Sequence, residues 1–430
     1  MSQLPLEGIR VTEITNAWAG PYATQLMGDW GAEVIRVESR YRSTRGLARP
    51  DPAFISPRQA VRLFSYPDKD PGARPWNRSA FPNAHMRNKL SVTMDLTRPE
   101  GREIFRKLIA VSDVFLENNV PVTMEQFDIT WEKLSEINPR LIMVRMPGYG
   151  LSGPYKDFRG LGSHMEAIAG HTLIRSYPDT APGQQSDVFP ADAAGGAAAV
   201  FATILALLHR KKTGEGQLIE FATAENFMPL IGDTILDYTM NGRLFESMGN
   251  MDRSMAPHNV YQCAGDDRWV AIACRDDKDW EALCGVMGNP AWTGDPRFAD
   301  SLSRFRNRDA LDEHIRQWTV DKEDQWVMRT LQAAHVPAGA LFDERDSYED
   351  PQLNARGFFE EVRHEEAGRH LYPSFQWKMR HTPNSIRRAP AMLGEHNEYV
   401  YKTLLGYGDE DYSRLESEGH ISLDYDPSVP

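Results

Sequence analysis

Hydrophobic and polar positions alternate along the first third of the chain in a way that predicts strands separated by short helices. Pro21 is well placed to open an apolar helix that ends near Trp30, because proline suits the first turn of a helix. Strands are predicted at residues 8–14, 32–38, 89–95, 113–117 and 140–145. Strand–helix–strand order is typical of parallel sheets with right-handed crossovers. The pattern therefore predicts an α/β fold with an open, doubly wound (Rossmann-like) parallel sheet.

The longest apolar run follows one acidic residue, Asp192, and closes with basic side chains at residues 209–212. Alanine and leucine favour helix, aspartate is a preferred N-cap, and cations suit a helix C-terminus. A helix that is apolar nearly all round is expected to be buried. Gly195 and Gly196 weaken its first turns, so we expect another group to approach the backbone closely there. From position alone, Asp192 suits an ordinary helix cap as well as a catalytic carboxylate.

The carboxyl ends of the predicted strands locate the binding pocket, because open α/β sheets bind their ligands there. We expect the rim of that pocket at residues 16–20, 38–40, 94–97, 118–120 and 147–149.

The pattern changes after residue 226. A hairpin at residues 260–274, followed by amphipathic helices, predicts a smaller α+β domain. A last helix at residues 394–405 precedes an acidic tail. The predicted organisation is the first part of a large domain at 1–225, a linker at 226–250, the small domain at 251–345, and a return linker with the rest of the large domain at 346–430.

Composition narrows the partners. A net charge of −13 and a pI near 5.5 argue against nucleic acid or an anionic membrane as the main partner. The three cysteines have neither zinc-site nor redox-pair spacing, which favours a reducing cytoplasm and no metal. The apolar run is shorter than the roughly 20 residues of a membrane span, so we expect a cytoplasmic protein. The segment 36–107 is rich in arginine and lysine and would suit a phosphate-bearing cofactor.

Motifs spread along nearly the whole chain resemble those of the class III CoA-transferases. This CaiB/BaiF family includes formyl-CoA transferase and carnitine CoA-transferase. The matching stretches, which include Asp192, are residues 6–13, 19–21, 31–38, 88–96, 113–118, 137–142, 148–154, 212–217, 350–353 and 389–396.

The resemblance implies an interlocked homodimer, with a large domain built from both chain ends and long irregular segments, such as residues 39–86, wrapped on the partner. It also implies that Asp192 is the catalytic nucleophile. Its carboxylate would form a mixed anhydride with the acyl group of an acyl-CoA and then an aspartyl-CoA thioester. Coenzyme A would pass in this way to a small carboxylic acid, with acyl-CoA as substrate and no metal.

By position, the resemblance places coenzyme A contacts at Trp18, Ala19, Arg40, Met94, Asp95, Leu96, Thr97, Asn118, Asn119 and Tyr149. Core packing is an alternative for Met94 and Leu96, and a simple turn for Asn118 and Asn119.

Two departures from formyl-CoA transferases affect the expected ligands. Ser39 and Gln126 stand where formyl-CoA transferases carry arginines, so the phosphate contacts are expected from Arg40, Arg42 or Arg87. The glycine-rich loop that covers the aspartate in those enzymes has no counterpart here, which disfavours formate and oxalate and favours a bulkier acid.

Three other functions are open at this stage. An α-methylacyl-CoA racemase of the same fold would pair Asp192 with a histidine, but Leu161 stands at that position, and His164 and His171 lie nearby. An NAD-dependent oxidoreductase is disfavoured because the first turn lacks G-x-G-x-x-G. A catalytically silent CoA-binding subunit is disfavoured by the retention of Asp192, although the need for a second, different chain stays open.

Overall fold

The computed structural model describes residues 4–46, 48–49, 65–184 and 188–430; part of the irregular segment 39–86 therefore lies outside the described residues. The strands are β1 Arg10–Ile14, β2 Glu33–Glu38, β3 Lys89–Thr93, β4 Val114–Glu117, β5 Ile142–Arg145, β6 Gln217–Glu220, β7 His258–Gln262, β8 Trp269–Ala273, β9 Ala338–Ala340, β10 Phe359–His364 and β11 Gly368–Pro373. The α-helices are α1 Ala19–Asp29, α2 Pro75–Arg78, α3 Ala80–Asn83, α4 Pro99–Ala110, α5 Pro121–Glu125, α6 Trp131–Ile137, α7 Gly162–Ala169, α8 His171–Ile174, α9 Pro190–Thr213, α10 Thr223–Phe227, α11 Gly232–Asn241, α12 Asp277–Val286, α13 Ser301–Arg306, α14 Arg308–Thr319, α15 Asp324–Ala333, α16 Glu344–Glu349, α17 Pro351–Ala355 and α18 Asp409–Ser417. Short 3₁₀ turns cover Pro67–Lys69, Pro182–Gln184, Met228–Ile231, Ala291–Gly294 and Pro296–Phe298, and a π-helix covers Tyr399–Leu404.

The large sheet has the strand order β3–β2–β1–β4–β5–β6, and each neighbouring pair is parallel. The predicted α/β fold with a parallel sheet is confirmed. The order reverses between β1 and β4, and such a switch point opens a crevice at the carboxyl ends of the strands.

Helices cover both faces of this sheet. On one face, α1 and α9 pack through Ala23 and Ala199 on apolar strand residues such as Val11 and Val114. The other face is covered by α4, α6 and the C-terminal region, where Tyr401 and Leu415 are fully buried. Leu415 belongs to α18, so the predicted acidic tail is in part a helix whose apolar residue completes the core.

The chain divides into two compact units. The first comprises Met1–Gly170, Asp187–Ile235 and Ala355–Pro430, and the second comprises His171–Ser186 and Leu236–Asn354. Both chain ends thus belong to the first unit, which also carries the antiparallel β10–β11 hairpin. Residues 171–186, which the sequence analysis assigned to the large domain, fall in the second unit. The second unit has its own antiparallel sheet, β7–β8–β9, and its own apolar core.

Helix α9 is only partly buried in this chain, contrary to the expectation that it would be covered all round. Its inner face carries Ala199, Thr203 and Ala206, whereas Phe201 and Leu205 are 65% and 50% exposed. The helix has 24 residues and is longer than its apolar run, because the basic residues continue it. By length and mean hydropathy (1.8) it is the one described helix that could cross a membrane, and a third of its apolar window is buried inside the protein.

A buried ion network connects the first three strands with α1. Glu13 on β1 lies 3.0 Å from Lys89 Nζ on β3 and 3.6 Å from Arg36 Nη1 on β2, and all three side chains are buried. Burial opposes the charge of Glu13, but Lys89 and Arg36 lower its pKa below the usual value. Lys89 Nζ also donates to the carbonyl of Pro21 at 2.8 Å, which ties α1 to the sheet.

Candidate active site

Three helices begin around the carboxylate of Asp192. Ala19, the first residue of α1, donates its backbone N–H to this carboxylate. Gly162, the first residue of α7, packs directly on it, since a Cβ there would lie 2.8 Å from Asp192 Cγ and closer still to Oδ2. The third helix is α9, which carries Asp192 in its first turn. Helix N-termini present unpaired N–H groups and a partial positive charge, so this junction suits an anion.

Asp192 is not the N-cap that the sequence analysis expected. Helix α9 begins at Pro190, Phe189 occupies the cap position, and Asp192 is the third helical residue. Its carboxylate is therefore directed to α1 and α7 and does not cap its own helix. The close approach expected at the glycines is present at Gly196, where a Cβ would lie 2.9 Å from the carbonyl oxygen of Ala19.

Burial raises the pKa of Asp192 to about 6. The hydrogen bond from Ala19 opposes this rise, and the negative charge of Glu166 adds to it. Glu166 is itself buried and accepts the backbone N–H of Ala191 at 3.5 Å. Asp192 is thus an ionised but basic carboxylate at neutral pH, as a nucleophile requires.

Asp192 opens into a cavity of about 340 Å³ at the switch point between β1 and β4. Its walls come from the turns after β1, β2, β4 and β5 and from the first turns of α1, α5, α7, α9 and α10. The lining residues are Asn16, Ala17, Ala19, Arg42, Asn118, Asn119, Val120, Thr123, Gly148, Arg159, Gly160, Leu161, Gly162, Met165, Asp192 and Thr223. Of the predicted coenzyme A contacts, it includes Ala19, Asn118 and Asn119.

The two asparagines join the ends of β1 and β4. Asn118 Oδ1 accepts the backbone N–H of Asn16 at 2.8 Å, and Asn118 Nδ2 donates to the Asn16 carbonyl at 2.9 Å. Asn119 Nδ2 donates to the carbonyl of Ile14 at 2.8 Å. Their amide groups are thereby used within the turn, where Ala17 adopts a left-handed φ of 57°. The pair shapes the cavity chiefly by fixing the turn that leads to Ala19.

Trp18 and Tyr149 flank the cavity without lining it. Trp18 packs on His85 and on Phe189, with ring centroids 5.5 and 5.4 Å apart. Tyr149 lies edge-on to both Tyr155 and Phe158, at 6.2 Å in each case. Their contact with coenzyme A stays a prediction.

Residues 94–97 do not reach the cavity. Met94 is buried in the core and Leu96 packs against the same cluster, while a contact of residues 94–97 with coenzyme A stays a prediction. Asp95 accepts Thr97 Oγ1 at 2.6 Å and Arg98 Nε at 2.8 Å, which holds the turn before α4. Strand β3 lies at the edge of the sheet, two strands from the switch point, and this distance places residues 94–97 outside the cavity of Asp192.

The arginines expected near phosphate separate into paired and unpaired ones. Arg87 forms a buried ion pair with Asp29 at 2.7 Å, and Arg40 lies 3.8 Å from Asp426. Arg42 lines the cavity, as does Arg159, which lies beyond the predicted rim because that rim ends at Tyr149. The loop after β5 is longer than that rim and returns to Asp192 through residues 159–162.

One group of described side chains has the spacing of metal ligands. The ligand atoms of Glu100, Glu418 and His420 lie within 4.8 Å of one another. Arg414 pairs with both carboxylates, at 2.8 and 3.1 Å, so their charge is already compensated.

The sequence matches the model of CoA-transferase family III over residues 6–397. The chain belongs to CoA-transferase family III. This confirms the predicted family and the CoA-transferase activity class.

Relatives of this transferase cover nearly its full length. The succinyl-CoA–D-citramalate CoA-transferase of Chloroflexus aurantiacus is 30% identical over 420 residues, 96% of this chain and 97% of that protein. The beta subunit of succinyl-CoA–L-malate CoA-transferase from the same organism is 33% identical over 417 residues, 96% of this chain and 98% of the subunit. Among solved structures, a CaiB/BaiF family protein from Brucella suis superposes with a TM-score of 0.80 at 28% identity, covering 94% of this chain and 100% of that one.

No histidine is among the described residues that line the cavity of the transferase. Leu161, at the position of the racemase histidine, is exposed at its edge. His164 turns back and accepts the backbone N–H of Leu161 on Nδ1 at 3.1 Å. His171 belongs to the other compact unit. The described cavity thus lacks the second base that α-proton abstraction needs.

The pH dependence of the transferase should follow Asp192. A nucleophile at Asp192 would be protonated below its pKa of about 6 and unable to attack, so kcat/KM should rise with pH to a plateau above that value. The check is a kcat/KM profile between about pH 5 and about pH 8, and a flat profile would contradict this assignment.

The raised pKa also means that ionised Asp192 destabilises the fold. At pH values above that pKa, Asp192→Asn should therefore raise the free energy of unfolding by about 2 kcal/mol, seen as a higher Tm. The gain should vanish in acid, where Asp192 is itself neutral.

Gly162→Ala should impair catalysis, because the added methyl group overlaps the carboxylate of Asp192 and must displace it. We expect kcat to fall at least about 10-fold, with about 1–3 kcal/mol lost from the free energy of unfolding. Steady-state kinetics and thermal unfolding measure the two effects. Gly232→Ala is the matched control, since its Cβ meets no atom within 4 Å and both parameters should hold. Normal kcat in Gly162→Ala would show that Asp192 need not stay in place.

Proposed function

We propose that Asp192 carries coenzyme A from an acyl-CoA to a free carboxylic acid through covalent intermediates. Its carboxylate oxygen attacks the thioester carbonyl, the carbon–sulfur bond breaks, and a mixed anhydride and CoA thiolate form. The thiolate attacks the aspartyl carbonyl, which releases the donor acid and leaves aspartyl-CoA. The acceptor carboxylate then attacks the aspartyl carbonyl of aspartyl-CoA, which expels the thiolate and forms a second anhydride. The thiolate attacks the acceptor carbonyl of that anhydride, which yields the new acyl-CoA and free Asp192.

The observation that carries this proposal is the half-buried Asp192 carboxylate at the junction of three helix N-termini, on the wall of a cavity. Each tetrahedral intermediate places negative charge on an oxygen beside Asp192, and that charge needs donors. Gly162 and Ser163 supply candidates, because N–H groups in the first turn of a helix have no intrahelical partner. Both groups lie in α7, whose start packs on the carboxylate.

The exposed edge of the cavity carries a cation that can pair with a negatively charged group of the substrate. We assign a phosphate of coenzyme A to Arg42, because it is the one of the three expected arginines that lines the cavity. The cavity of about 340 Å³ is small for a ligand pocket, which typically spans about 300–1,000 Å³, and suits a short acid. The names of the two Chloroflexus relatives pair succinyl-CoA with a small hydroxy acid, which supports an acceptor of that size here.

The decisive experiment follows an oxygen atom. In the proposed sequence, the oxygen by which the acceptor carboxylate attacks aspartyl-CoA stays on Asp192 when the second anhydride is opened. Turnover with ¹⁸O-carboxyl acceptor should therefore label the Asp192 peptide, as detected by mass spectrometry after digestion. Hydroxylamine quenching of the protein with acyl-CoA alone should convert the same residue into a hydroxamate.

Matched variants locate the label. Asp192→Asn should lose both labels and turnover while it still binds acyl-CoA in calorimetry. Asp157→Asn, which removes an exposed carboxylate from the loop after β5, should retain all three. Turnover without label at Asp192 would overturn the covalent route, and exchange of the α-proton in deuterated water without transfer would favour the racemase.

We propose further that the transferase acts as a homodimer, with the outer face of α9 in the interface. Phe201, Leu205 and Leu208 follow the helical period along that face and are 50% to 65% exposed in the single chain. Large apolar side chains grouped on one face usually mark an association site, and the interlocked dimers implied by the family resemblance would cover it.

Sedimentation tests the dimer. The wild-type protein should behave as two chains of 48.7 kDa, and Leu205→Asp should reduce the fraction of folded dimer because a buried charge in the interface is costly. Leu302→Asp, at an equally exposed leucine of the other compact unit, is the control and should stay dimeric. A wild-type protein that stays monomeric at all concentrations would contradict the proposal.

A further inference from the structure

Arg159 and Arg42 bring two cations to the cavity of Asp192, and neither forms an ion pair with the residues that the structure describes. The buried arginines described in this unit, by contrast, each have a carboxylate partner within 3.6 Å; they are Arg36, Arg45, Arg87, Arg145 and Arg210. Asp192 is the one acidic residue among the described cavity-lining residues. Two exposed guanidinium groups against one carboxylate leave the cavity with an excess positive charge.

The proposed chemistry uses only part of that charge. The carboxylate that reacts at Asp192 becomes an anhydride and loses its negative charge, and Arg42 is assigned to a phosphate of coenzyme A. Arg159 is then a cation without a counter-ion in the cavity. Its planar fork of N–H donors matches a carboxylate better than a point charge does. A second carboxylate on the substrate would fill this role.

The position of Arg159 fits a ligand that reaches from Asp192. Arg159 precedes Gly162, which packs on the Asp192 carboxylate, by three residues, so at most about 10 Å of chain separates them. The intervening Gly160 and Leu161 line the same cavity. On the other side of Arg159, Phe158 stacks on Tyr155 at 4.8 Å between ring centroids. The aromatic contact braces the loop at the residue before Arg159.

We propose that Arg159 binds the distal carboxylate of a short-chain dicarboxylic acid, in free or CoA-linked form, while the proximal carboxyl group reacts at Asp192. This inference rests on the proposed function and adds its substrate class. Arg159 acts on substrate selection and takes no part in bond making. Its loss should therefore raise KM for dicarboxylates more than it lowers kcat.

The test compares substrates that differ only in the distal group. Transfer is measured with succinyl-CoA or butyryl-CoA as donor and with ¹³C-labelled succinate, succinamate or butyrate as acceptor, so that exchange between identical acids is also detected. Wild-type protein should prefer succinate, with a kcat/KM at least about 10-fold above those of succinamate and butyrate. Arg159→Met should remove about 10- to 100-fold of the succinate kcat/KM and leave the butyrate value within a factor of about two. Arg159→Lys should recover part of the loss.

Two further variants separate the possible roles of the cation. Arg42→Met should raise KM for succinyl-CoA and butyryl-CoA alike, as loss of a phosphate contact would. Lys156→Met, which removes an exposed cation three residues earlier in the same loop, should match wild type on every substrate.

Several results would overturn the proposal. Equal use of succinate and succinamate by wild type would show that the distal charge is not read. A loss in Arg159→Met that is equal for succinate and butyrate would indicate a structural role, and a rise in KM for both CoA donors would indicate a phosphate contact. Hydroxamate formation at Asp192 with butyryl-CoA keeps the two proposals distinguishable. If that label persists while selectivity is absent, only the proposed role of Arg159 is contradicted. If no donor gives label, the proposed covalent route itself is contradicted.

Discussion

The buried carboxylate of Glu13 is the interaction on which the geometry of the active site depends. It accepts the hydroxyls of Thr15 and Thr24, each at 2.6 Å, and pairs with Lys89 at 3.0 Å. These partners lie on the turn after β1, on α1 and on β3, so one side chain fixes three elements. An unpaired charge at this depth would cost several kcal/mol, and removal of any partner would disturb the others. The turn from Thr15 to Ala19 is therefore held by a network rather than by its own short sequence.

That rigidity extends to Asp192. Ala19, at the end of the turn, donates to Asp192, and Asn118 clamps the turn from β4 through two hydrogen bonds with Asn16. The left-handed backbone of Ala17 is an uncommon conformation for a residue with a side chain, and such conformations persist only where the surroundings impose them. The ion network, the asparagine clamp and the three helix starts together place a carboxylate at a defined position at the switch point of the sheet.

The fold could be predicted further from the sequence than the site could. Strand alternation and helix signals are local, so the order of the sheet elements and the family motifs, with Asp192 among them, are recognisable. The distance of Met94 from the cavity depends on which strand lies at the sheet edge, and that is a non-local property. Arg159 lines the cavity only because a loop without periodicity folds back to Asp192, and such a fold-back leaves no local signal in the sequence. The exposed side of α9 was missed for a different reason, since hydrophobicity indicates that a surface is to be covered but not whether the same chain covers it.

The fold sets the basicity of Asp192 that the proposed chemistry requires. Helix N-termini alone would favour the anion and lower its pKa, which would give a weak nucleophile that is expelled easily from an anhydride. Burial acts in the opposite direction, and the pKa of about 6 lies above that of an ordinary aspartate yet below neutral pH. Such a carboxylate is ionised in most molecules at neutral pH and still basic enough to attack a thioester. In the proposed mechanism the burial of Asp192, to which the close packing of Gly162 contributes, supports the reaction, because a more open site would return Asp192 to the pKa of a surface carboxylate.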